Sequence, residues 1–255
     1  MRIDRMLANL GYGSRKEVKS LLKKGAVLVN GAPVKDGKTH VQPQTDKVEV
    51  LGEIVHYKEF IYFMMNKPAG VISATEDLYE ETVVDLLDPK DQVFQPFPVG
   101  RLDKDTEGLL LLTNDGQLAH QLLSPKKHVP KTYFAVIAGE VTENDQNIFL
   151  KGVELDDGYV TKPARLNILQ SGIRSHIELT ITEGKFHQVK RMFEAVGKRV
   201  IYLKRLKMGP LTLDEELKLG EYRELRQEEI ASLQQFVLMR KNSERIKKKS
   251  DFPSD

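Results

Sequence analysis

The chain contains no cysteine. That removes disulfides, thiolate zinc sites and cysteine nucleophiles at once. Its six histidines include no His-Glu-x-x-His or comparable spacing, so no metal site is expected. Long apolar runs are also missing: Phe60 to Met65 and Leu109 to Leu112 are of strand length, far short of the roughly 20 apolar residues that a membrane span requires. The first residues, Met1-Arg2-Ile3-Asp4-Arg5, lack the apolar core of a signal peptide. No internal repeat is present. These absences predict a soluble cytoplasmic protein with no membrane partner.

What is present is length enough for two cores. A chain of 255 residues, 40% of them hydrophobic, exceeds one small module and suits two domains. Its net charge of +2 is unevenly spread. Residues 1–50 carry ten Lys or Arg against five Asp or Glu, which leaves the other 205 residues at −3. A second basic cluster, from Arg240 to Lys249, closes the chain. Two basic ends around a balanced middle fit a polyanion touched at more than one place, because each phosphate contact releases counter-ions.

The first 50 residues read as a compact unit. Ile3, Met6, Leu7 and Leu10 recur at helical spacing, and Gly11-Tyr12-Gly13 stops that helix. Ser14-Arg15-Lys16-Glu17 has the form of a capping box opening a second helix. That helix turns Val18, Leu21 and Leu22 inward, keeps its basic residues outside, and ends at Gly25. Val27-Leu28-Val29 predicts a strand, Asn30-Gly31 a hairpin turn, and Val48-Glu49-Val50 a closing strand. This order resembles the S4 RNA-binding domain. The resemblance implies that the basic second helix and the turn beyond follow RNA backbone, with Arg15, Lys16, Lys19 and Lys38 as contacts.

Leu51 to Lys58 reads as a linker, giving a first domain at 1–57 and a second at 60–238. In the second, Ile61 to Asn66 predicts a strand broken at Lys67-Pro68-Ala69-Gly70. A helix is predicted over Gln117 to Leu123, and strands over Thr132 to Ile137 and Ile177 to Ile181. Val189, Met192, Phe193 and Val196 predict an amphipathic helix over 186–196 ended by Gly197. Glu228 to Lys241 reads as a last helix; the basic end, 239–255, is taken as a tail outside the folded domains, disordered from Asn242. Strands interleaved irregularly with a few helices predict an α+β fold.

Four strings in the second domain carry chemistry. They are Asn66-Lys67-Pro68, Gly100-Arg101-Leu102-Asp103, Lys131-Thr132-Tyr133, and Glu183-Gly-Lys-Phe-His-Gln-Val-Lys-Arg-Met192. In this order, behind an S4-like unit, they resemble the RNA pseudouridine synthases that modify ribosomal RNA, and are most similar to the small-subunit branch. The resemblance covers about residues 1–230. It implies a small N-terminal S4 (α-L) domain followed by a catalytic domain with a mixed, largely antiparallel sheet and a central cleft. It also implies a monomer that needs no cofactor, acting on ribosomal RNA or on an assembling particle.

By resemblance Asp103 is the nucleophile and Tyr133 lies against the uracil. A carboxylate suits the reaction because it can trap or stabilise the sugar as the glycosidic bond breaks. Uracil spreads its own negative charge over two carbonyls, so one Asp can suffice. Alternation along an extended segment puts Asp103 and Asp105 on one side, and a carboxylate pair stays open. The helix at 186–196 gathers His187, Lys190, Arg191 and Glu194 on its polar face, where a cation can pair with Asp103. Geometry alone does not choose between neighbours; by motif position Lys190 is expected to support Asp103, and Arg191 to hold a phosphate. Lys67, Arg101 and Arg165 are expected to grip RNA backbone around a flipped base. A large-subunit target, a non-catalytic assembly factor and an unrelated glycosidase remain as other readings; an intact Gly-Arg-Leu-Asp and Lys-Thr-Tyr disfavour the second, and the basic helix the third.

Overall fold

A computed structural model describes residues 1–55 and 57–250, with side chains to residue 240. The chain divides into two compact units, one of Met1–Ile61 with Asp88–Pro96, the other of Tyr62–Leu87 with the chain from Phe97 onward.

The first unit opens with α1 (Ile3–Asn9) and α2 (Arg15–Lys23). Ile3, Met6, Leu7, Val18 and Leu22 from these helices are fully buried with Val27, Val41 and Val48. The capping box forms: Ser14 Oγ accepts from the Glu17 amide at 3.4 Å while Glu17 Oε2 accepts from the Ser14 amide at 2.7 Å. Strands β1 (Val27–Val29), β2 (Ala32–Pro33), β3 (Val48–Val50) and β4 (Glu53–Val55) make a sheet in the order β2-β1-β3-β4. Asn30 and Gly31, at φ 52° and 80°, form the expected β1–β2 turn. The linker expected from Leu51 is corrected: Leu51 and Gly52, at φ 54° and 89°, turn the chain straight back into β4 against β3. A leucine rarely takes that conformation, so its sequence gives no turn signal. Nor does the sequence announce α3 (Pro89–Gln92), whose segment lies with the first unit; a Cβ on Gly11 would stand 3.0 Å from Val93.

The second unit carries β5 (Tyr62–Lys67), β6 (Phe97–Pro98), β7 (Glu107–Thr113), α4 (Gly116–Leu123), β8 (Lys131–Ala138), α5 (Glu143–Lys151), β9 (Arg165–Gln170), β10 (Arg174–Ile181), α6 (Gln188–Ala195), β11 (Arg199–Met208), β12 (Leu211–Thr212), β13 (Tyr222–Glu224) and α7 (Gln227–Ser250). Its main sheet runs β13-β5-β7-β11-β8-β10-β9, with β6 on β7 and β12 on β11. Among the described strands only β7 and β11 pair in parallel, so the fold is the expected α+β with a mixed, largely antiparallel sheet. Leu109 to Leu112 of β7 are buried on both faces, which is why they form an unbroken apolar run. On one face they meet Met64, Leu118, Leu122, Met208 and Leu233. Elsewhere in the core, Phe149 of α5 meets Phe193 of α6 at 5.0 Å between ring centres.

Among the elements here that escape the sequence reading are α5 and β11. Helix α5 begins in a capping box of Thr142 and Asp145. Strand β11 holds Lys204, Arg205 and Lys207, and these charges obscure its alternation although Arg205 is buried. Helix α7 also continues to Ser250, past the point taken as the start of a tail; residues 239–250 contain no Gly or Pro and are rich in good helix formers. Residues 251–255 of that expected tail lie outside the described residues. No described helix is long and apolar enough to cross a membrane.

Candidate active site

The loop between β6 and β7, holding Asp103, is fixed from several sides. Gly100, at φ 82°, begins it where a Cβ would stand 2.8 Å from Leu123. The Leu102 amide donates to Ser73 Oγ and Ser73 Oγ donates to the Leu102 carbonyl, both at 3.0 Å. The Gly70 amide donates to the Lys104 carbonyl at 2.7 Å, and the Thr106 amide to the Asp103 carbonyl at 3.0 Å. At its far end Gly108 has φ 103°, and a Cβ there would lie 2.3 Å from the Arg205 carbonyl oxygen. Only glycine admits the parallel approach of β11 at this point.

Lys67 is the centre of this loop's support, which corrects its expected role. It is fully buried. Its ammonium lies 2.8 Å from the Pro68 carbonyl, 2.9 Å from that of Thr106, 3.2 Å from that of Asp103 and 3.4 Å from that of Lys104. With its ammonium enclosed by these carbonyls it is not placed to meet a phosphate, and its charge organises the 103–106 loop from behind. Burial pushes its pKa down to about 8, against the pull of Asp105, Asp103 and Glu107.

The Asp103 side chain, 30% exposed, stands at the wall of a cavity of about 580 Å³. Lys190 of α6 approaches Asp103 Oδ2 at 3.5 Å, and His187 Nε2 approaches Oδ1 at 3.6 Å. Lys190 donates more closely to both carboxylate oxygens of Asp105, at 2.7 and 2.8 Å. It therefore stands between the two aspartates, and holds the Asp105 carboxyl below the usual carboxylate range. Asp105 itself is 71% exposed and does not line the cavity. Arg191 turns elsewhere: its guanidinium engages Asp156 and, at 2.8 Å, Asp157. Of the two adjacent cations, Lys190 is the one brought to Asp103.

The floor is built by paired strands. Tyr133 of β8 is buried, lies opposite Arg205 of β11, and lines the cavity with Asp103. Lys131, two residues earlier and hence on the same face of β8, also lines it. Lys131 donates to the Val129 carbonyl at 3.2 Å, and burial with the nearby Arg205 charge lowers its pKa to about 8 against the pull of Glu183. Arg205 donates through Nε to the Leu109 carbonyl at 2.7 Å, while its buried Nη2 has no hydrogen-bond partner among the described residues. Neither Lys131 nor Arg205 was picked out by sequence reasoning. Lys131 sits inside a motif read for its tyrosine, and Arg205 looks like any strand cation until β11 is placed.

The rim comes from the segment before α6. Glu183 is buried and accepts from the Tyr159 hydroxyl at 2.7 Å, the Lys162 amide at 3.0 Å and Gln188 Nε2 at 2.8 Å. The Lys185 amide donates to Gln188 Oε1 at 2.9 Å. Between these anchors His187 takes φ 47°, a left-handed conformation that costs a non-glycine residue on the order of 1 kcal/mol. Arg101 is exposed and lines the cavity. Arg165 does not: it is exposed on β9, beside a separate shallow depression formed with α5. In the first unit Arg15, Lys16, Lys19 and Lys38 are all exposed, as a polyanion surface requires.

Residues 61–195 match the family model described as RNA pseudouridylate synthase, and residues 1–46 match the S4 domain. The uncharacterized RNA pseudouridine synthase YtzG of Bacillus subtilis is 60% identical over 90% of this chain and 97% of its own length. A ribosomal small subunit pseudouridine synthase A from Yersinia pestis is 40% identical over 91% of this chain and 98% of its own. A solved structure described as a pseudouridylate synthase covers 91% of this chain and 99% of its own, at 39% identity and a TM-score of 0.64. A chain with an S4 domain in front and a synthase domain behind, similar over nearly its whole length to such proteins, belongs to the RNA pseudouridine synthases.

Proposed function

We propose that this enzyme isomerises a specific uridine of small-subunit ribosomal RNA, with Asp103 as nucleophile on a flipped-out base. One observation carries the reading: Asp103 shares a single cavity with Tyr133, and Lys190 and His187 stand 3.5 and 3.6 Å from its carboxylate oxygens. In the reaction an Asp103 oxygen takes C1′ as the N1–C1′ bond breaks, and the bonding pair leaves with uracil as a delocalised anion. The base turns within the cavity, C5 joins C1′ as the carboxylate leaves, and the C5 proton passes to N1 by way of solvent or a nearby base. No electrons are gained or lost overall. Tyr133 lies against the ring, and Lys190 keeps the carboxylate paired until it attacks. Arg101 at the rim and the basic face of α2 hold the backbone of the unpaired RNA. The substrate is ribosomal RNA, free or in an assembling particle, met in the cytoplasm by a monomer.

The small-subunit target rests on relatives that bear that name in Yersinia pestis and, at 42% identity, in Vibrio cholerae. The test uses transcripts of both subunit RNAs with the parent and Asp103→Asn. The parent should form pseudouridine in small-subunit RNA alone. The Asn variant should bind RNA and lose at least about a thousandfold in rate, roughly 4 kcal/mol of barrier. A variant within tenfold of the parent would overturn the role of Asp103; modification confined to large-subunit RNA would overturn the target.

A further inference from the structure

Beside the buried chemistry of the cavity stands one exposed aromatic ring. Phe186 is 73% exposed and lines the cavity mouth. Its ring stacks on His187 with 3.8 Å between centres and 20° between planes, and His187 in turn reaches Asp103 at 3.6 Å. An isolated exposed phenylalanine would need no explanation. This one is held in place. The segment carrying it is pinned on one side by the three hydrogen bonds to Glu183, and on the other by Lys185 and Gln188 bonding to each other. The Lys185 ammonium is drawn off over the Tyr159 ring, 4.4 Å from its centre, and the left-handed His187 turns the chain sharply into α6. The fold thus spends a strained residue to keep an apolar face open at the mouth of a site lined by Arg101, Lys131, Lys162 and Lys190.

We propose that the Phe186–His187 pair is a stacking platform for a nucleobase next to the flipped uridine. The inference rests on the reading of this cavity as the uridine site. When the target base leaves its stack, its neighbour loses a partner; an aromatic face at the cavity mouth replaces that partner and holds the gap open. Stacking accepts any base, because every base has a π-face. The platform therefore supplies affinity and register near the target, while cations around it meet the backbone.

The experiment measures RNA binding and single-turnover pseudouridine formation for the parent, Phe186→Ala and Phe186→Tyr at several salt concentrations. Phe186→Ala should raise the RNA concentration for half-maximal rate about tenfold, within the range for loss of one stacked base. Its maximal rate should stay within threefold of the parent, and its slope of log affinity against log salt should not change, since no phosphate contact is lost. Phe186→Tyr should behave as the parent. A substrate abasic at the flanking nucleotide should bind the parent as weakly as the intact RNA binds Phe186→Ala, with no further loss when both changes are combined. Parental affinity in Phe186→Ala would overturn the platform, as would a flattened salt slope or additive losses with the abasic RNA. A parent that binds RNA but forms no pseudouridine would instead overturn the catalytic reading, and the binding arms would still judge the stacking.

Discussion

Lys190 offers the sharpest test of the site, because it touches two carboxylates and has an adjacent cation as a built-in control. At 3.5 Å and an effective dielectric of about 20, a unit charge pair is worth about 4 to 5 kcal/mol before solvent is considered. The side chains of Lys190 and Asp103 are 21% and 30% exposed, so water screens part of this and about 2 kcal/mol is a reasonable remainder. Lys190→Ala should then slow single-turnover isomerisation about 30-fold, with RNA affinity changed far less. The deletion also leaves Asp105 facing Asp103 without the ammonium between them. Asp105→Asn added to Lys190→Ala should accordingly recover several-fold of the lost rate, although Asp105→Asn alone removes the negative charge that Lys190 pairs with most closely. Arg191→Ala breaks the contacts to Asp156 and Asp157, away from the carboxylate, and should leave the maximal rate within threefold of the parent. The assay is the saturating single-turnover rate of the four proteins on one transcript. If Arg191→Ala lost 30-fold while Lys190→Ala stayed within threefold, the assignment of the supporting cation would be refuted.

Tyr133→Phe keeps the ring and removes the hydroxyl, so base binding should persist while turnover falls at least tenfold; near-parental turnover would make Tyr133 a packing residue. Gly108→Ala would force a left-handed backbone and a Cβ 2.3 Å from the Arg205 carbonyl oxygen, and should cost at least about 2 kcal/mol of stability by denaturant titration. Charge reversal of Arg15, Lys16 and Lys19 in the full chain should weaken RNA binding and reduce the slope of log affinity against log salt by about 2 to 3; an unchanged slope would remove α2 from the RNA surface. Lys67 has its folded pKa lowered to about 8 from an unfolded value near 10.5. Below pH 8 both states hold the proton and the burial cost is present in full. Between 8 and 10.5 the unfolded chain holds more protons, so stability contributed through Lys67 rises with pH. Lys67→Met should lack that part of the rise, seen by comparing denaturation free energies of the two proteins at pH 7.5 and 9.5; equal pH dependence in both would refute it.

Local physics in the sequence by itself determined much of this protein. Apolar spacing placed α1, α2 and α6; the Ser14–Glu17 box and the Asn30-Gly31 turn fixed the start of α2 and the first hairpin, because capping and turn chemistry act over three or four residues. Motif order placed Asp103 and Tyr133 as candidates for one site, and they line one cavity. Tertiary structure decided what depends on partners distant in sequence. Lys67 reads as an RNA grip, but β5 runs beneath the 103–106 loop and buries its ammonium among backbone carbonyls. Arg165 reads as part of the site, but β9 is the outermost strand beyond β10 and carries it away. Lys190 and Arg191 are equivalent on an ideal helix; the packing of α6 and the positions of Asp105 and Asp156 separated them. Arg205 carries no local signal, and Phe186 none beyond its place inside a motif. What a cation or a ring does is set by what surrounds it, and only the folded chain supplies those surroundings.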